Sequence, residues 1–285
     1  MRVKIGYLGL AIVLAAGIAA AQEGPKGPGT SDIYCSGIVT PERLPYDTYL
    51  ISGEQSNYKI TFAQGDLAYI NKGSNDGVKV GDEFQVMRPV KDHLIIKWFA
   101  WQPSLLRAMG QTYADLGKLR VVNVQSKVST AEVAFSCEYM QRGDIVRPFA
   151  ERPAPPFKEN AKFDHFAPVS GKPLAMVVTT KNFGQLAGTN TIVYVNLGSA
   201  QGVKMGDYFR IFRYQGTHNE TIFQTYGMAY KLYGFGSAPQ RYKWDDLPRE
   251  ILGEGIVLRV SPNASTVMIT LSRRDIYVGD YVELE

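Results

Sequence analysis

The chain has 285 residues, of which 45% are hydrophobic and 12% aromatic, and its formal net charge is +4. So small a charge does not supply the basic patch that nucleic-acid binding requires, and this class of function is excluded. The length allows one large domain or two modest ones. The high aromatic content favours strands, because aromatic side chains fit the pleated surface of a sheet.

The first 21 residues have the layout of a signal peptide. Arg2 and Lys4 give a positive start, residues 5–21 are almost wholly apolar, and small residues precede Gln22. A retained membrane anchor is the alternative, but glycines weaken a run already short for a span of about 20 residues. We predict cleavage near Ala21, which removes two basic and no acidic residues and lowers the charge from +4 to +2. The mature protein is then periplasmic, secreted or outer-membrane-associated, with no transmembrane segment.

The next segment is predicted to be a disordered leader, because residues 22–31 are rich in Gly, Pro and polar side chains. The first β-module is predicted at 32–147 and contains both cysteines, Cys35 and Cys137. In an oxidising compartment such a pair favours one disulfide, and two buried free thiols are the alternative. Metal binding is not expected, because the sequence has neither a close Cys pair nor a Cys-His cluster.

An internal repeat dominates the rest of the chain. Residues 69–88 (YINKGSNDGVKVGDEFQVMR) align without a gap with residues 194–213 (YVNLGSAQGVKMGDYFRIFR). A second matched block follows in each copy, at 117–146 and 253–282. Matched blocks in the same order indicate duplication of a whole folding unit. We therefore predict an all-β fold of two tandem modules, each a small barrel or sandwich with a long insert, the second at 173–285.

The repeated residues are those of turns and strand entries. Gly and Asn tolerate the positive φ of tight turns, and Asp bonds to nearby backbone N–H groups. We assign this structural role to Asn71, Gly73, Gly77, Gly81, Asp82, Gly143, Asp144, Asn196, Gly198, Gly202, Gly206, Asp207, Gly279 and Asp280. The alternative is that the aspartates form catalytic or metal-binding pairs. Four equivalent positions argue against it, because a catalytic pair needs carboxylates in different environments.

Short strands are predicted between these turns. In the first module, residues 47–53 and 58–65 have the composition of strands that end at Gly. In the second module, 175–180 and 191–195 are predicted strands. After Asp207, apolar residues alternate with a period of two, which indicates a half-buried strand.

The parts that differ from the repeat are a linker and two inserts. Proline density makes 148–172 a predicted semi-rigid linker. The inserts, 89–116 and 214–252, are rich in aromatic residues, and 104–116 is predicted to be a short amphipathic helix that begins at Ser104. Exposed aromatic rings can stack on sugars or anchor a protein partner; alternatively, they cover a barrel end or the contact between modules. The partner-binding candidates are Trp98, Trp101, Tyr226, Tyr230, Tyr233 and Trp244.

The repeat also resembles a known family. VNLGSAQGVKMGDYFRIFR, followed by GEGIVLRVSPNASTVMITLSRRDIYVGDYVEL, is similar to the C-terminal domain of the flagellar assembly protein T. The resemblance covers the second module from about Thr191 to the end and the first from about Asp66 to Arg147. It implies a small β-barrel-like domain in an envelope accessory protein of Gram-negative bacteria, with no catalytic residues to carry over. This chain differs in having the module twice.

The sequence therefore predicts a binding or assembly protein without enzymatic activity or cofactor. The chain has no G-x-S-x-G nucleophile elbow and no phosphate-binding loop. The leading hypothesis is an exported scaffold of two β-modules that binds another envelope component, such as an envelope protein, through its inserts. The alternative is binding of peptidoglycan or another glycan through the aromatic inserts. A hydrolase is the third hypothesis, but no nucleophile with a nearby base is recognisable.

Overall fold

The structure is a computed structural model that describes residues 27–55, 58–93, 96, 99–158, 163–214 and 248–285. Within these ranges, 17 strands account for most of the regular structure, together with two short α-helices. The predicted all-β fold class is confirmed. No helix among the described residues is long and apolar enough to cross a membrane.

The first module is built on a seven-stranded antiparallel sheet. Its elements are α1 (Thr30–Tyr34), β1 (Ile38–Thr40), β2 (Leu50–Gly53), β3 (Thr61–Phe62), β4 (Leu67–Ile70), β5 (Glu83–Val90), α2 (Gln102–Met109), β6 (Gln111–Val124), β7 (Ser129–Ser136), β8 (Met140–Gln141) and β9 (Ile145–Pro148). The strand order is β2-β4-β7-β6-β5-β9, with β1 paired to β6 and with β3 and β8 forming a separate pair. A bridge between Tyr49 and Ile145 joins the two ends of this order.

The second module is a closed antiparallel barrel. Its strands are β10 (Leu174–Thr180), β11 (Leu186–Ala187), β12 (Ile192–Val195), β13 (Tyr208–Arg213), β14 (Glu250–Val260), β15 (Ser265–Ser272), β16 (Ile276–Tyr277) and β17 (Tyr281–Leu284). The barrel order is β10-β12-β15-β14-β13-β17, and β11 pairs with β16 outside it. The predicted strands at 175–180 and 191–195 correspond to β10 and β12.

The two modules share strand order, register and core positions. In the strand register, Glu83 of β5 lies opposite Arg120 of β6. The aligned residues Tyr208 and Ile256 lie opposite each other in β13 and β14. The register shifts of β6 against β7 recur at the matching places of β14 against β15. Matched buried residues are Ile70, Val86, Val121, Val133 and Val146 in the first core and Val195, Ile211, Val257, Ile269 and Val282 in the second. The sequence alignment therefore identifies the structural counterpart of each aligned residue.

The repeated turns have the same geometry in both modules. Each contains a one-turn 3₁₀ helix, Ser74–Asp76 in the first module and Ser199–Gln201 in the second. The helices end at Gly77, with φ 84°, and at Gly202, with φ 85°. These φ values lie in the left-handed region, which glycine adopts without steric cost.

The aspartates that follow glycine close their turns. Each accepts a hydrogen bond from the backbone N–H three residues earlier, at 2.9 Å for Asp82, 2.8 Å for Asp207, 2.6 Å for Asp144 and 2.7 Å for Asp280. Asp144 also forms a bidentate ion pair with Arg88, and Asp280 forms one with Arg213. The four carboxylates thus stabilise turns and anchor strands β5 and β13.

We expect Gly198→Ala to lower the free energy of unfolding by about 2 kcal/mol or more, because overpacking forces the backbone to move. A Cβ at Gly198 would lie 2.2 Å from the carbonyl oxygen of Ser261, which belongs to the facing loop. Gly188→Ala is the control, since a Cβ there meets nothing within 4 Å. Urea unfolding of both variants tests this expectation. Equal stability of the two variants would contradict it.

The predicted helix of the first insert is wrong in its bounds. Helix α2 spans Gln102–Met109 rather than 104–116, and its N-cap is Trp101 rather than Ser104. The helix ends because Gly110 has φ 109°. The following residues instead pair with neighbouring strands in β6.

Three other boundaries differ from the sequence predictions. The strand predicted at 58–65 is reduced to β3, Thr61–Phe62. The strand predicted at 47–53 begins only at Leu50. The predicted leader overlaps helix α1, which starts at Thr30 and is capped by a hydrogen bond from the Gly29 N–H to the Asp32 carboxylate. Residues 22–26 lie outside the described residues.

The first insert packs against the second module. Ile96 and Phe99 belong to the same buried cluster as the inward-facing residues of the barrel in the second module. Met109 of α2 and Val39 of β1 belong to a second cluster with residues of the second module. The Gln102 side-chain amide donates a 3.0 Å hydrogen bond to a backbone carbonyl of β10. These described residues of the insert therefore form part of the contact between the modules, together with β1.

Candidate functional site

A buried ion cluster lies where the two modules meet. Fully buried Asp115 accepts hydrogen bonds from the Gly37 N–H at 2.8 Å and from the Gln85 amide at 2.9 Å. Its carboxylate also contacts Arg152 at 3.2 Å and Arg259 at 3.1 Å. Burial lowers the pKa of Arg259, and the attraction of Asp115 opposes this shift. One carboxylate thus ties β6 to β14 and to the segment after β9.

The segment Cys35–Gly37 lies between α1 and β1 of the first module and contacts the second module. Cys35 forms a disulfide with Cys137, which confirms the predicted pairing and excludes free thiols. The carbonyl of Ser36 accepts a 3.0 Å hydrogen bond from the hydroxyl of Tyr194, whose pKa is raised mainly by burial. The disulfide therefore fixes this segment directly beside the junction.

An open groove lies on the outer face of β5, β6 and β7 in the first module. Its cavity volume is about 330 Å³, within the lower range of ligand-binding clefts. The side chains that give it its chemical character are Tyr34, Lys118, Arg120, Phe135, Phe149 and Arg152. The groove combines an aromatic wall with cationic groups.

The aromatic wall is held by stacking. The rings of Tyr34 and Phe149 have centroids 5.4 Å apart and an interplanar angle of 28°. The Lys118 ammonium lies 4.7 Å from the centroid of Phe149, and the Arg152 guanidinium lies 5.7 Å from that of Tyr34. Since Tyr34 directly precedes Cys35, the disulfide helps to hold this wall in place.

The cations of the groove outnumber the carboxylate between them. Glu83 accepts hydrogen bonds from Lys118 at 3.1 Å and from Arg120 at 3.2 Å. The Lys118 hydrogen bond is the main cause that lowers the pKa of Glu83, and Arg120 adds to it. Arg120 remains 56% exposed at its side chain. Of the charged residues that line the groove, Lys118, Arg120 and Arg152 are cations and Glu151 is the one carboxylate, so the groove favours a ligand with negative charge.

Of the six predicted partner-binding residues, the described part of the chain contains one, Trp101. Trp98, Tyr226, Tyr230, Tyr233 and Trp244 lie outside the described residues. Trp101 is 73% exposed at the start of α2 and does not line the groove. The aromatic inserts therefore contribute one described, exposed ring to a separate surface.

The groove residues were not predicted from the sequence. Tyr34 lies close to the predicted disordered leader, and Phe149 lies within the predicted linker. One sequence feature that could identify the groove is the alternation of side-chain directions along β6, because it places Lys118 and Arg120 on the same face. Comparison of the aligned repeats would also have revealed Glu254 at the position of Lys118.

Comparison with known proteins gives no family for this chain. No protein-family model matches it, and no curated protein matches it. Among the described residues, no group of three or more His, Cys, Asp or Glu side chains is arranged to hold a metal ion.

Proposed function

We propose that this chain is a non-enzymatic, exported accessory protein of the bacterial envelope. It serves as a scaffold made of two copies of one β-unit, and it binds another envelope protein. The observation that carries the proposal is the open groove lined by aromatic and cationic side chains. Such grooves on a rigid frame are typical of binding sites for protein segments.

The buried contacts between the two modules support the scaffold role. The buried clusters and the Asp115 ion cluster join the two modules. The disulfide suits an oxidising compartment such as the periplasm. The signal-peptide pattern of residues 1–21 and the resemblance to flagellar assembly protein T point to the same compartment.

Photo-crosslinking in intact envelopes tests this function. We expect a photoreactive residue at Glu151, an exposed position that lines the groove, to capture one discrete envelope protein. The same residue at Lys204, exposed in a turn of the second module, is the control and is expected to capture none. Absence of a crosslink at both positions, or equal crosslinks at both, would contradict the proposal.

Binding of peptidoglycan or another glycan is the second candidate, favoured by the exposed ring of Trp101. If it is correct, purified peptidoglycan sacculi should sediment the mature protein saturably, and Trp101→Ala should weaken binding about tenfold. Tyr58→Ala is the control, because it removes a ring that is 93% exposed elsewhere on the first module. Binding that is absent, or unchanged by Trp101→Ala, would exclude this surface as a glycan site.

A further inference from the structure

The second module has a face that corresponds strand by strand to the groove. The pairs of β5 with β6 and β9 have the same register as the pairs of β13 with β14 and β17. Six outward positions of the two modules therefore correspond. Taken in order, they are Glu83 and Tyr208, Gln85 and Arg210, Lys118 and Glu254, Arg120 and Ile256, Arg147 and Glu283, and Phe149 and Glu285. Whatever covers the second face indicates what the first face is shaped to bind.

The segment between the modules covers part of the second face, beside Val39 and Met109 of the first module. Pro156 packs beside Gly206, where an added Cβ would lie 3.0 Å from the proline ring. Phe157 packs against the cluster that contains Tyr208 and Ile256. Residues 155–158 thus lie across β13 and β14 as a proline-containing strap with one aromatic anchor.

The strap ends at Lys158, whose positive charge pairs with an acidic residue of the second module's face. The Lys158 N–H donates a 2.8 Å hydrogen bond to the Tyr208 hydroxyl, and its ammonium lies 4.2 Å from the centroid of that ring. The same ammonium forms a 2.9 Å ion pair with Glu285. A cationic side chain therefore closes the contact on the second module.

The corresponding face of the first module has the opposite charge. Of the six outward positions, the second module has three glutamates and one arginine, whereas the first has one glutamate and three cations. Lys118 stands in place of Glu254, and Phe149 stands in place of Glu285. The groove thus keeps the shape of a strap-binding face, gains an aromatic wall, and prefers a negative ligand.

We propose that this groove binds an extended, proline-containing, acidic peptide segment of a partner protein. An aromatic side chain of the segment packs on the wall of Tyr34 and Phe149, and an adjacent carboxylate pairs with Lys118 and Arg120. Extended proline-rich segments bind aromatic-lined grooves in this way because their conformation is already ordered before binding. The proposal rests on the proposed function, since it specifies the partner of the same site.

Fluorescence anisotropy with two peptides tests the proposal. The probe is a labelled, end-capped peptide of residues 153–158 carrying Lys158→Glu, and the control peptide has the native sequence. We expect the mature protein to bind the Glu peptide about tenfold more tightly than the Lys peptide, because the carboxylate gains charge-assisted hydrogen bonds. Added salt should reduce this difference. Equal affinity of the two peptides, or no binding of either, would overturn the proposal.

Two double variants locate the binding site. Lys118→Gln with Arg120→Gln should weaken binding of the Glu peptide about tenfold. Lys79→Gln with Lys127→Gln makes the same change in charge at two exposed positions of the same module and should leave affinity within about twofold. Equal losses in both double variants would overturn the assignment of this groove.

The outcomes separate this proposal from the proposed function. A crosslink to an envelope protein from Glu151, without a preference for the Glu peptide, would overturn the acidic-peptide proposal and retain the binding function. A preference for the Glu peptide, without any crosslink in envelopes, would support the groove's ligand class and count against the envelope partner. The peptide measurement needs only the purified chain, so it does not depend on the presence of that partner.

Discussion

Asp115→Ala is expected to lower the free energy of unfolding by about 3–5 kcal/mol, because it leaves buried cations without their counter-charge. Arg152 and Arg259 both bond to this carboxylate, and their side chains are mostly buried. The backbone N–H of Gly37 also loses its acceptor. Because these groups come from both modules, the change should loosen the junction as well as destabilise the chain. Urea unfolding followed by tryptophan fluorescence measures the loss.

Asp66→Ala is the matched control for this measurement. Asp66 pairs with Lys59 at side chains that are 25% and 39% exposed, and it also accepts a 2.8 Å hydrogen bond from the Ala63 N–H. A partly exposed ion pair contributes about 0–1 kcal/mol, so this variant should lose clearly less stability than Asp115→Ala. A loss below about 1 kcal/mol for Asp115→Ala, equal to the control, would show that the buried cluster does not stabilise the junction.

Local structure could be predicted from the sequence where local chemistry determines it. Gly77 and Gly202 mark left-handed turn positions, and Asp82 and Asp207 follow at the strand entries. Alternating apolar residues identified β13, since Phe209 and Ile211 face the core. These features depend on residues a few positions apart, which sequence patterns report directly.

The junction could not be predicted, because its contacts join residues far apart in the chain. Asp115 meets Arg259, and Tyr194 meets Ser36, with no spacing rule connecting either pair. The bounds of α2 were wrong for a related reason. The residues after Gly110 are recruited into β6 by pairing with β1 and β5, and this tertiary effect outweighs local helix propensity.

The candidate groove could not be predicted for the same reason, since its residues are far apart in the chain. Its aromatic wall joins Tyr34, from before the first strand, to Phe149, from after the last strand of the module. The aromatic content of the sequence instead favours the two inserts as binding sites. Yet described residues of the first insert, Ile96 and Phe99, are buried against the second module. Aromatic content alone therefore does not distinguish a binding surface from an interface within the chain.

The disulfide connects the groove to the junction. Tyr34 of the aromatic wall lies on one side of Cys35, and Gly37 of the Asp115 cluster lies on the other. The carbonyl of Gly37 additionally accepts a hydrogen bond from Arg259 of the second module. Holding Cys35 against the end of β7 therefore positions both the candidate binding wall and the contact between the modules.

Removal of the disulfide by Cys35→Ala with Cys137→Ala is expected to lower the free energy of unfolding by about 2–5 kcal/mol. The two cysteines are separated by 102 positions, and for a closed loop of about 100 residues the chain-entropy model gives about 4.7 kcal/mol. Urea unfolding of the oxidised parent and the double variant measures this difference.

The double variant should also bind the Glu peptide more weakly, because Tyr34 loses its covalent tether beside the groove. The control is the parent protein kept reduced with phosphine, which should unfold at the same urea concentration as the double variant. If reduction destabilises the parent far less than the two substitutions do, the loss arises from packing at the alanines rather than from the crosslink. If stability falls while peptide affinity is unchanged, the wall of Tyr34 and Phe149 holds its position without the disulfide.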